Sequence, residues 1–173
     1  MTKQKLTINE VIRFSNHDFL NQLHLIGMNL DLGRVDDAKA IIEQVSEQCQ
    51  LLSHLNKIGI QQTIEWLQTL KWRYSALQVT VTCNVMEALN EQFDLAIVQY
   101  LENTIIHVYD RLDAFTEQRL QIEIEGAANA FNIMFHLQGK WDAPHFDKEI
   151  EGLHIETIEN TNVSWKYVIR NKE

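Results

Sequence analysis

Residues 7–56 hold two apolar stripes at helical spacing with one short break between them, and no other feature limits the fold as much. Thr7-Ile-Asn-Glu10 is a capping box, in which the Thr7 hydroxyl and the Glu10 carboxylate satisfy the first free N–H groups of a helix. Ile8, Ile12, Phe19, Leu23, Ile26 and Leu30 then share one face at 3.6-residue spacing. The pattern stops at Leu32-Gly33-Arg34, where Gly33 suits the left-handed conformation that ends a helix. Asp36 or Asp37 starts a second helix, with Ala38, Ile41, Ile42, Val45, Cys49, Leu52 and Leu55 along its stripe. So short a connection predicts antiparallel helices, each roughly 30–38 Å long at 1.5 Å per residue. A lone hairpin leaves one side of its seam in water. Two copies close it as a four-helix bundle, so a homodimer is expected; the alternative cover is the chain's own C-terminal half.

Asn56-Lys57-Ile58-Gly59 marks a boundary, which predicts a helical domain over 1–58 and an α/β domain over 59–173. Ile60–Tyr74 reads as a helix. Leu77–Val85 alternates apolar with polar residues, as a half-buried strand does. Gln92–Leu112 reads as a long helix. Arg119–Glu125 and Ala130–Gln138 alternate again about a turn at Gly126–Asn129. Pro144 and the charged stretch to Gly152 read as a loop or short helix, and Leu153–Glu159 with Val163–Ile169 as a final hairpin. The class is α+β: a helical hairpin, then a sheet with helices on one face.

The net charge is −9 over 173 residues, with no basic patch, which argues against nucleic acid or an anionic membrane as partner. No run of 18 apolar residues occurs, and residues 1–10 lack the apolar core of a signal peptide. A cytoplasmic protein is expected. Cys49 and Cys83 form no motif and are expected to be reduced and buried.

The stretch Ser15-Asn-His17-Asp18-Phe-Leu-Asn21-Gln-Leu23 raises the chemical question. With Phe19 at the centre of the apolar face, His17 lies roughly 160° away. Glu10, Arg13, Asn21, His24 and Met28 share that outward side, flanked by Phe14 and Leu25. Apolar residues beside an outward histidine suit either a docking surface or a face that the second domain covers. Zinc is a poor reading, because His17 and His24 are two turns apart, about 10 Å along the axis. No serine or cysteine nucleophile motif is present. Asp18 is able to accept from the ring Nδ1–H, which leaves Nε2 as the nucleophilic nitrogen.

The stretch His17-Asp-Phe-Leu-Asn-Gln-Leu-His-Leu-Ile-Gly-Met-Asn-Leu-Asp-Leu-Gly-Arg34 resembles the sporulation initiation phosphotransferase B family. More broadly it resembles the dimerisation and phosphotransfer region of two-component proteins. The resemblance is specific over residues 13–34 and extends along the rest of the chain by order of elements. It implies a helical hairpin that dimerises into a four-helix bundle, followed by a domain shaped like a degenerate histidine-kinase ATP-binding domain. The family's phosphorylated histidine carries over to His17, its adjacent acid to Asp18, and the asparagine one turn later to Asn21. The resemblance implies a phosphorelay: His17 accepts a phosphoryl group from one response-regulator aspartate and passes it to another, in sporulation initiation. Arg13 and Asn21 would support the phosphoryl group, while Phe14, His24 and Leu25 would meet the regulator, which would bring its own Mg2+.

A kinase of this layout needs an asparagine on a helix and glycine-rich loops around ATP. Asn103 in Gln99–His107 resembles the asparagine, but Leu137-Gln-Gly139-Lys-Trp141 carries one glycine and no aspartate. Without close-approach glycines the backbone cannot cradle a triphosphate, so no cofactor of its own is expected. Two other readings stand beside phosphotransfer: a dimeric adaptor that binds a receiver domain without chemistry, and an ATP-dependent sensor histidine kinase fragment.

Overall fold

The computed structural model describes residues 5–127, 130–143, 146 and 150–171. The described residues divide into two compact units, one ending at Ser53 and one beginning at His54.

The first unit is the helical hairpin. Helix α1 (Ile8–Asp31) begins with the capping box: Glu10 N donates to Thr7 Oγ1 at 3.3 Å, and Thr7 N donates to Glu10 Oε2 at 2.8 Å. Gly33 takes φ +71°, and the N–H groups of Gly33 and Arg34 reach back to Leu30 O and Asn29 O at 3.0 and 2.8 Å. This is a Schellman closure, which a residue with a Cβ would strain. Helix α2 (Val35–Leu55) restarts at once, with Ala38 N donating to Arg34 O. It therefore begins at Val35, one or two residues before the Asp36 or Asp37 expected from sequence. Both carboxylates fall in its first turn, where the helix dipole favours them.

The rotation of α1 is the main departure from expectation. Asn29 is its buried residue, and Val11, Asp18 and Gln22 on the same row are half-buried. Gln22 Nε2 donates to Gln48 Oε1 of α2 at 3.2 Å. The apolar stripe lies roughly 80° round the helix from that row. Ile8, Ile12, Phe19, Leu23 and Leu30 are consequently 48–78% exposed. Cys49, expected to be buried, is exposed, because the hairpin does not cover its side of α2. Cys83 is half-buried, and both cysteines are free.

The second unit holds helix α3 (Gln61–Arg73), strand β1 (Leu77–Val85), a 3-10 turn at Glu91–Phe93, helix α4 (Asp94–Tyr109), and strands β2 (Gln118–Ala127), β3 (Ala130–Gln138), β4 (Leu153–Asn160) and β5 (Ser164–Asn171). The sheet order is β1-β2-β3-β5-β4. β1 and β2 are parallel, as a connection through α4 requires, and the other pairs are antiparallel. Alternation in β2 and β3 turns Leu120, Ile122, Ile124, Ile133, Phe135 and Leu137 to one face. Ile64, Leu67 and Leu70 of α3 and Ile97, Leu101 and Ile105 of α4 complete the core. The α+β class read from the sequence holds.

Helix α4 is shorter than the expected Gln92–Leu112. Leu112 pairs with Trp141 in an isolated antiparallel bridge, which ends the helix at Tyr109. The expected turn at Gly126–Asn129 and the loop from Pro144 fall partly outside the described residues. Buried Asp94 locks α3 to α4: its Oδ1 accepts from Thr63 N and its Oδ2 from Gln62 N, each at 2.8 Å. Glu102 of α4 ties three more side chains to that seam, accepting from Tyr74 Oη at 2.8 Å and from Arg73 and Trp66.

Candidate functional site

The outward side of α1 carries the site. The helix is regular from Ile8 to Asp31, so residues three and four apart stack as neighbours. The His17 side chain is 72% exposed. Two neighbours converge on its Nδ1: the Asn21 carboxamide nitrogen at 3.3 Å, and Asp18 Oδ1 at 3.7 Å. Its Nε2 has no partner among the described residues. The ring is therefore held at one nitrogen and open at the other.

Asp18 reaches His17 although residues i and i+1 do not face each other on a helix. Its position on the half-buried row beside α2 leaves its carboxylate at the rim of the outward side, 39% exposed. Asn21 stands one turn after His17 and directs its amide at the ring, not past it. Arg13 stands one turn before, with its guanidinium carbon 5.2 Å from the centre of the Phe14 ring. That cation–π contact holds a cation beside the histidine without neutralising it. Phe14 is half-buried, His24 is exposed and Leu25 is 46% exposed. Met28 and Leu20 add apolar surface at 47% and 63% exposure. Gln48, which accepts from Gln22 on the face between α1 and α2, has no signal in the sequence: helical period gives a stripe on each helix but not the rotation of one against the other.

Asn103 is half-buried on α4, between Tyr100 and His107 on one side of that helix. The Phe146 ring covers this side, 5.9 Å from the Tyr100 ring, 5.1 Å from His107 and 5.4 Å from Trp165. Gly139 has φ +153°, and a Cβ there would lie 1.9 Å from Gln118 Oε1. Buried Gln118 donates to Asp113 O and accepts from Lys140 N, tying two connections together. The one glycine of Leu137–Trp141 thus makes room for a glutamine side chain.

Among the described residues no helix is long and apolar enough to cross a membrane. No curated protein matches the chain. Among solved structures, the histidine kinase AdeS of Acinetobacter baumannii aligns at 11% identity over 90% of this chain and 97% of its own, with a TM-score of 0.39. Residues 1–58 match the family model "Sensor kinase SpoOB-type, alpha-helical domain". The helical hairpin that presents His17 is thus similar to the alpha-helical domain of SpoOB-type sensor kinases.

Proposed function

We propose that this chain is a phosphorelay phosphotransferase that carries a phosphoryl group on His17 between two response-regulator aspartates, in sporulation initiation. The observation that carries the reading is the state of His17: exposed, engaged at Nδ1, open at Nε2, and opposite the apolar stripe. A second copy on the Ile8–Leu30 stripe would form a four-helix bundle and leave both His17 rings facing outward. The exposed half of that stripe supports the homodimer.

In this reading a phosphorylated receiver domain docks over Arg13, Phe14, His24 and Leu25. His17 Nε2 attacks the phosphorus in line, the Nε2–P bond forms, and the bond to the aspartate oxygen breaks. The regulator's carboxylate leaves with the electron pair. The transition state spreads charge over three equatorial oxygens, so catalysis needs positioning and positive charge more than proton transfer. Arg13 supplies charge from this chain, and the regulator's Mg2+ supplies it from the other side. The reading needs no ATP; the Phe146 ring against Tyr100 and His107, and the Gln118 side chain against Gly139, support it.

The test uses a receiver-domain regulator labelled with radioactive phosphate on its aspartate. It is mixed with wild type and with His17→Gln, beside a lane of labelled ATP alone. The expected result is an acid-labile, base-stable adduct on the wild type, none on the variant, and none from ATP. Label from ATP would make the chain a kinase. A regulator that binds both proteins and labels neither would make it an adaptor.

A further inference from the structure

Asn21 and Asp18 place opposite demands on one atom. An amide nitrogen only donates, so the 3.3 Å contact from Asn21 is satisfied when His17 Nδ1 holds a lone pair. A carboxylate only accepts, so Asp18 at 3.7 Å is satisfied when Nδ1 carries a proton. A neutral imidazole has one protonated nitrogen and one lone pair, and it meets only one of these demands at a time. The ring states of a phosphoryl carrier alternate in the same way. Attack through Nε2 requires the lone pair there, hence the proton on Nδ1. Once the Nε2–P bond has formed the ring is a cation; loss of the Nδ1 proton gives a neutral phosphoimidazole whose one lone pair is on Nδ1.

We propose that Asn21 is a positioning residue that stores the phosphorylated form of His17 by donating to the Nδ1 lone pair that the neutral phosphoimidazole carries. This rests on the phosphotransfer reading. Asp18 serves the two transferring states, the Nδ1–H nucleophile and the protonated phosphoimidazole. On acceptance, the Nδ1 proton passes through Asp18 to water and the ring settles onto Asn21. On return, Nδ1 regains a proton and the ring becomes the better leaving group. The P–N bond then breaks to the acceptor aspartate, and neutral His17 remains with its proton on Nδ1. The division follows from charge: a carboxylate repels a lone pair, and an amide nitrogen cannot accept a proton.

The test needs no regulator. The full chain with nitrogen-15 histidine is phosphorylated on His17 with phosphoramidate, as wild type, Asn21→Ala and Asn21→Asp. Asn21→Ala should shorten the phosphohistidine half-life about five-fold, the worth of one hydrogen bond. It should also move the Nδ1 resonance toward that of a lone pair with no donor. Asn21→Asp turns donor into acceptor, so in the unphosphorylated protein the share of rings with the proton on Nδ1 should rise above that of wild type. Half-lives within two-fold of wild type and unmoved resonances overturn the proposal. If phosphoramidate leaves His17 unmodified, the Asn21→Asp tautomer decides: an Nδ1–H share no higher than in wild type overturns it. A failed transfer from regulators with these signatures present sinks the phosphotransfer reading alone; normal transfer with them absent sinks only the role of Asn21.

Discussion

Gln22 of α1 donates to Gln48 of α2 at 3.2 Å, and this bond belongs to the face that the hairpin closes. That face is polar for a helical seam: Asn29 is buried on it and donates its side-chain amide to Leu25 O at 2.9 Å. The apolar residues sit beside it. Phe19 is 52% exposed and Leu23 48%, so the hairpin's own packing leaves much of this stripe uncovered.

That arrangement predicts the effect of a charge on the stripe. Phe19→Asp would bury an unpaired carboxylate in each half of a symmetric bundle, at a cost of about 3 kcal/mol. Dimer dissociation should rise roughly 10,000-fold, as two such costs per dimer convert. Sedimentation should show a wild-type dimer and a variant monomer with unchanged helical content. A wild type that sediments as a monomer at all concentrations would remove the four-helix bundle. A variant that remains dimeric would move the interface elsewhere.

Much of this was legible in the sequence where the signal is local. The Thr7–Glu10 box, Gly33, and the bounds of Leu77–Val85 and Ala130–Gln138 each follow from a few adjacent residues. Period also puts His17 on the outward side of its helix. The facing of α1 toward α2 was not legible, because apolarity names the stripe that leaves water but not which surface covers it. Contacts between distant elements were silent for a related reason. Asp94 reads as one more helical acid until α3 lies 2.8 Å from it, and Phe146 reads as a loop residue until it meets His107.

Arg13 sets a second expectation. Its guanidinium rests on Phe14, one turn from His17, and its charge also reaches the Glu10 carboxylate one turn before. A guanidinium matches phosphoryl oxygens in two-point contact, which an ammonium does not. Arg13→Ala should lower kcat/KM for phosphoryl transfer from a regulator about ten-fold, the loss of one charge-assisted contact. Arg13→Lys should recover only part of it, because lysine restores charge but not the planar fork. Equal rates for the three proteins would show that the regulator brings all the positive charge.

His136 gives the α/β unit a dependence on acid. It lies on the outer face of β3, with Nε2 3.4 Å from Ser164 Oγ, and Ser164 donates to Glu159 Oε2 at 2.7 Å. Burial lowers the pKa of this histidine below its ordinary value near 6.5, and the neighbouring Lys166 lowers it further, against a smaller pull upward from Glu159 and Glu123. A histidine depressed in the folded state binds its proton more readily when unfolded. Its contribution is thus fully present above about pH 6.5 and is lost as pH falls from there through the folded value. Urea unfolding of the full chain at pH 7.5 and pH 5.5 should show a larger loss of stability in wild type than in His136→Gln, which cannot take the proton. The difference should vanish at pH 7.5 apart from the constant effect of the substitution. Parallel losses in the two proteins would assign the acid sensitivity to other groups, and a greater loss in the variant would reverse the sign argued for His136.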